Sequence, residues 1–164
     1  MLILGVDPGT ARTGYGFVRQ SGGELEAEEY GIIETSKDTP PPERLEFIHK
    51  DILRIIKRYK PDTMAVEKLF FSSNAKTAMS VGEARGVILL AGMMKNLGIY
   101  EFTPMQVKMA LTGYGKADKS QVGEMVKTLL CLKKIPKPDD VADALAIAVC
   151  CASSARMEKI KNSG

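Results

Sequence analysis

Cysteine and histidine are scarce in this sequence, three of the first and one of the second among 164 residues. Three cysteines cannot pair off completely. Cys150 and Cys151 are neighbours within a helical pattern, and no pair has the spacing of a zinc site. Such usage fits a reducing compartment, and the cytoplasm is the expected location. His49 falls on the amphipathic stretch ERLEFIHKDILRIIKRYK, where a solvated or structural role is expected. No apolar run approaches the roughly 18 to 20 residues of a membrane span, which excludes a helical membrane protein. The opening MLILGVD lacks a basic leader and meets an acid at position 7, so it does not read as a signal peptide. Internal repeats and low-complexity segments are lacking too, and the length suits one domain with a full core.

What the chain does contain is 45% apolar and 26% charged residues, the balance of a soluble globular protein. The formal charge of +3 is unevenly spread. Residues 1–50 hold 5 basic and 9 acidic side chains, whereas residues 51–164 hold 18 and 11. Polarity of this kind suits a polyanion partner on one side. An uneven but solvated surface accounts for the charge alone equally well.

Three short β-branched or aromatic runs, LILGVD, TGYGFVRQ and EEYGIIETS, predict an antiparallel meander, because their connectors PGTAR and SGGE are short. Apolar residues at Leu45, Ile48, Ile52, Ile55, Ile56 and Tyr59 have helical spacing, closed by Pro61. DTMAVEK predicts a fourth strand and GIYEFT a fifth. Between them residues 74–97 predict a helix, with Asn74 as its cap and many alanines and glycines along it. Thr103-Pro104-Met105-Gln106 and Asp118-Lys119-Ser120-Gln121 have the pattern of capped helix starts. A last helix runs from near Pro138 through DDVADALAIAVCCA. Residues 1–155 are expected to form one domain, with 156–164 a short C-terminal tail open to disorder.

The resulting order, β-β-β-α-β-α-β-α-α-α, is that of an α/β domain with a mixed sheet. A right-handed crossover after the third strand places strand four beside strand one, parallel to it and opposite strand two. Ligands bind at such a switch of connection direction. Asp7 ends strand one and Glu67 ends strand four, so both carboxylates meet in one crevice, with strand axes about 5 Å apart. Asp140 and Asp143 are three apart on the last helix and share a face. Asp139 lies about 100° round the helix from Asp140 and is assigned to capping. Each acid alone has an ordinary explanation, such as a turn, a helix N-terminus or a strand end. Four acids on separate elements converging without a cation would repel and raise one another's pKa. Hard divalent cations such as Mg²⁺ resolve that repulsion, and a pair of them suits phosphodiester displacement.

The ordered set GVDPGTARTGYG, AVEKLFFSSNAKTAMSVGEARGV, QVKMALTGYGKADKSQV and DDVADALAIA resembles the RuvC-type Holliday-junction resolvases from residue 2 to about residue 152. The resemblance implies a ribonuclease-H-like fold, a five-stranded mixed sheet flanked by helices on both faces. It also implies a homodimeric endonuclease that cuts two like-oriented strands of a four-way DNA junction by water activated on a metal. The ends would be 5′-phosphate and 3′-hydroxyl, in recombination and DNA repair. The metal-binding and catalytic acids of the family fall on Asp7, Glu67, Asp140 and Asp143. Some relatives carry histidine at the first helix position, so Asp140 implies an all-carboxylate site for Mg²⁺, with Mn²⁺ as substitute and two ions when DNA is bound. The RuvA–RuvB branch-migration complex is the partner that the resemblance implies.

Around the acids, Phe70 is favoured for stacking on an unpaired base and Phe71 for packing. Lys108, Lys116 and Lys119 flank the TGYG loop, and Lys108 and Lys119 match basic positions of the family near the scissile phosphate. Lys76 and Arg85 are weaker DNA candidates, and solvated charges are the plain alternative for all five. Rival readings remain: an actin-like phosphate-binding domain, which needs a second lobe; a non-catalytic junction-binding module; and a related RNA-processing nuclease. The Ala/Gly-rich stretch 75–97 is the candidate dimer face.

Overall fold

Alternation of side chains along β1 (Leu2–Asp7) decides the layout of the molecule. Leu2, Leu4 and Val6 enter one core cluster, while Ile3 enters another on the opposite face of the sheet. By the same parity Gly5 and Asp7 belong to the face of Ile3. A computed structural model describes residues 1–68 and 75–162 of the chain, so Phe70, Phe71 and Asn74 lie outside the described residues.

β2 (Arg12–Ser21) and β3 (Glu24–Glu34) complete the antiparallel meander with β1. β3 begins earlier than the apolar pattern predicts. Gly22 and Gly23, with φ of 58° and 97°, form a two-residue turn whose twist suits a hairpin, so pairing continues to Ser21 and Glu24. β4 (Thr63–Glu67) lies parallel to β1 on its other side, and β5 (Gly98–Phe102) lies parallel to β4. The strand order is β3-β2-β1-β4-β5, with strand four where the crossover rule put it.

α1 (Pro41–Tyr59) starts two residues before Glu43, where the amphipathic stretch begins, because prolines are tolerated in a first helical turn. It stops at Lys60, whose φ of 50° ends the helix while its N–H donates to the Ile56 carbonyl at 2.9 Å. α2 (Ala75–Met94) packs beside it. Ile48, Ile52 and Ile56 of α1 and Ala84, Ile88 and Ala91 of α2 cover Leu4, Phe17, Met64 and Val66.

The opposite face carries α5 (Asp139–Asn162), flanked by α3 (Pro104–Thr112) and α4 (Lys119–Leu129). Both predicted capping boxes are present. The Gln106 N–H donates to Thr103 Oγ1 at 3.2 Å, and the Gln121 N–H to Asp118 Oδ1 at 2.9 Å. α5 runs on to Asn162, into the stretch read from sequence as a tail. It crosses β1 and β2 where Gly5, Gly14 and Gly16 offer no side chain. A Cβ on Gly5 would collide with the Ala144 carbonyl and one on Gly14 with the Asp140 carbonyl. Glycine inside a strand marks such close backbone approach. No helix among the described residues is long and apolar enough to cross a membrane.

Candidate active site

The turn after β1 is tied on three sides. Thr13, fully buried, donates from Oγ1 to the Gly9 carbonyl at 2.7 Å. Thr10 Oγ1 donates to the Ser80 carbonyl of α2 at 2.8 Å, and Thr35 Oγ1 donates to the Thr10 carbonyl at 2.6 Å. Gly9 has no room for a side chain, since a Cβ there would meet the Arg12 carbonyl. These bonds hold Asp7 at the carboxyl end of its strand.

Pairing of Val6 with Val66 puts Glu67 next in register beside Asp7. Arg85 of α2 fixes the end of β4 from the other side: its Nε donates to the Glu67 carbonyl at 3.1 Å, and its guanidinium pairs with Glu101 of β5. Arg85 is therefore engaged within the fold rather than offered to DNA. The side chain of Lys76 lies outside the described residues.

Asp7, Glu67 and Asp143 line one cleft of about 360 Å³, together with Lys108 and Lys119. Val107, Val122 and Ile147 supply its apolar walls from α3, α4 and α5. Asp140 stands one turn before Asp143 and does not line this cleft, but its charge reaches Asp7. Burial pushes the Asp7 carboxyl well above the usual carboxylate range, and the charges of Glu67, Asp143 and Asp140 push it further. Glu67 is raised as well, first by burial and then by Asp143. Lys119 works against both shifts. Its ammonium donates to Asp143 Oδ2 at 2.9 Å.

The other predicted residues separate. Lys108 faces the acids from α3, whereas Lys116 is exposed on the α3–α4 loop and does not line the cleft. Asp139 does not serve as the cap: it is the first residue of α5 and pairs with Lys137 at 2.6 Å. Gly5, Gly14 and Gly16, which let α5 approach the strand ends, are the positions that sequence reasoning missed. Their signal was present, as alternate glycines in strands otherwise rich in apolar residues.

All the carboxyl donors here are hard oxygen ligands, the set that Mg²⁺ and Mn²⁺ prefer over softer metals. Among the described residues no three acidic, histidine or cysteine side chains stand close enough to enclose a metal as they are arranged. The raised Asp7 and Glu67, short of positive charge, fit such a cation.

The strand order, with helices on both faces and acids at the ends of the two central parallel strands, defines a ribonuclease-H-like nuclease fold. Comparison with known proteins narrows that class. A model of the family described as crossover junction endodeoxyribonuclease RuvC matches residues 3–151. A crossover junction endodeoxyribonuclease RuvC of Halothermothrix orenii is 56% identical over 159 residues, covering 97% of this chain and 96% of its own. The Thermus thermophilus RuvC structure superposes with a TM-score of 0.89 at 38% identity, over 96% of this chain and 97% of its own. A second structure, T. thermophilus RuvC in complex with Holliday junction substrate, gives 0.87 at 37% identity, over 96% of each chain. The chain belongs to the RuvC family of crossover junction endodeoxyribonucleases.

Proposed function

We propose that this protein resolves four-way DNA junctions by paired, metal-dependent hydrolysis of like-oriented strands, leaving 5′-phosphate and 3′-hydroxyl ends. The observation that carries the reading is the convergence of Asp7, Glu67 and Asp143 with two lysines in one cleft, in a chain of this family. A relative at 37% identity has been solved with a Holliday junction substrate, and this chain's cleft sets two lysines, which suit phosphate, beside three acids, which suit a divalent cation.

Asp7, Glu67, Asp140 and Asp143 are the residues that hold the metal, Mg²⁺ with Mn²⁺ as substitute, and two ions when DNA is present. When bound, such ions supply the charge that activates water and stabilises the leaving oxygen. The protein's own part is positioning. The tied turn and Arg85 fix the backbones behind Asp7 and Glu67, and the glycine-lined face lets α5 bring its acids to them. Lys108 and Lys119 meet the phosphate next to the bond that breaks, while Lys116 tracks the backbone further out. Phe70, next to this site in sequence, serves to stack on an unpaired base.

A homodimer matches the pseudo-twofold junction and permits paired cuts. α2 supports this, because Met79, Leu90, Met93 and Met94 are exposed within an arc of about 100° along it. A solvent-facing apolar strip of that kind suits a second copy. The enzyme would work in the cytoplasm with the RuvA–RuvB branch-migration complex.

The test is a synthetic four-way junction labelled on each strand. With Mg²⁺ the expected products are symmetric nicks in two like-oriented strands with ligatable ends, and none with chelator. Linear duplex should remain uncut, and junction binding should weaken as salt rises. Equal cutting of linear duplex, or no junction cleavage with either metal, overturns the proposal.

A further inference from the structure

Lys119 is the first residue of α4, where the partial positive charge of a helix N-terminus disfavours a cation. The Asp118–Gln121 capping box fixes its backbone there. Its side chain is 70% exposed, yet the ammonium turns inward to Asp143 Oδ2 at 2.9 Å. Its field also favours the charged forms of Asp7 and Glu67. An ammonium in this position does part of what a metal ion would do, on a carboxylate that a metal ion would use.

We infer that Lys119 is an exchangeable counter-ion: it neutralises Asp143 while the site lacks metal and DNA, yields that oxygen to a divalent cation, and then meets the DNA phosphate. The inference rests on the metal-dependent reading above. An ammonium and a divalent cation on one carboxylate repel strongly, so the ion pair weakens ligation by Asp143. Metal must then compete with an internal cation, and its affinity for the DNA-free protein is lowered. A phosphate entering the cleft offers the ammonium another anion and releases Asp143. Metal and DNA therefore strengthen each other's binding, and the coupling is reciprocal. The high exposure of the side chain leaves it free to make this move.

Mn²⁺ titration calorimetry on the DNA-free protein separates the outcomes. Lys119→Met keeps a flexible, unbranched side chain and removes its charge, whereas Lys119→Arg keeps the charge. The Met variant is expected to bind Mn²⁺ roughly two- to five-fold more tightly than the wild type, the scale of an exposed ion pair. The Arg variant is expected to stay near wild type. Without metal the Met variant should melt lower, and Mn²⁺ should raise its Tm more than it raises that of the wild type. Equal affinity in all three proteins, or weaker binding by the Met variant, overturns the exchange while leaving the metal site standing. Absence of Mn²⁺ binding in all three removes the metal site, and the exchange with it.

Discussion

The two faces of one sheet are built to different rules. On the α1–α2 face, large side chains such as Phe17, Ile48, Ile52 and Met64 fill the space between helix and strand. On the α5 face, Gly5 and Gly14 lie against the helix backbone at Ala144 and Asp140, and Gly16 leaves room for the Leu145 side chain. The first arrangement gains stability from buried area. The second gives up side-chain volume for proximity, and it is the face that carries the acids. Asp140 and Asp143 can act on Asp7 because α5 sits this close to β1 and β2.

The contrast can be broken on either side, beginning with the α1–α2 face. Ile52→Ala leaves a cavity in the α1–α2 core, with an expected loss of about 2–5 kcal/mol. Denaturant titration measures it, and cleavage per folded molecule should stay near wild type. A large fall in that specific activity would mean that the two faces are not separable. Gly14→Ala is the converse experiment. The new methyl group meets the Asp140 backbone, and strain of that kind costs about 1–3 kcal/mol. Here activity should fall further than stability, because relief of the clash moves the acids of α5. Loss of stability with unchanged activity would contradict the positioning role.

The smallest effect concerns pH. Asp7 and Glu67 are raised in the folded protein, so the folded state holds protons more tightly than the unfolded state. Their contribution to metal-free stability falls as pH rises from the ordinary carboxylate range through their raised values, and the deficit persists above them. Below that range both states are protonated and the deficit vanishes. Asp7→Asn removes the share of Asp7, so its metal-free melting temperature should decline less steeply with pH and exceed wild type at neutral pH. Parallel melting curves for the two proteins would contradict this electrostatic account.

Much of this organisation was legible in the sequence because it is local or follows from chain geometry. The Thr103–Gln106 and Asp118–Gln121 patterns named two helix starts through bonds that each segment makes with itself. Short connectors dictated the meander, and crossover handedness put β4 beside β1, which brought Asp7 and Glu67 together before any side chain was placed. Contacts between distant segments were not legible. Nothing in VGEARGV says that Arg85 reaches Glu101 and the Glu67 carbonyl. The spacing of Lys116 and Lys119 does not reveal that only the second turns into the cleft. Asp139 shows the same limit in miniature: its position suggested a cap, and the neighbouring Lys137 took it instead. The alternate glycines of GYG were visible, but their partner was a helix more than 120 residues further along.

The most direct test of the central claim, that the acids brought together by α5 and the parallel strands make a metal-dependent junction nuclease, compares wild type with Asp7→Asn on a labelled four-way junction in Mg²⁺. Binding by the variant should equal or exceed that of wild type, since an acid facing phosphate has been neutralised. Nicking should fall by more than the roughly 100-fold that loss of a group supporting a metal ligand costs. A variant that binds the junction and still cuts it at the wild-type rate would contradict the account.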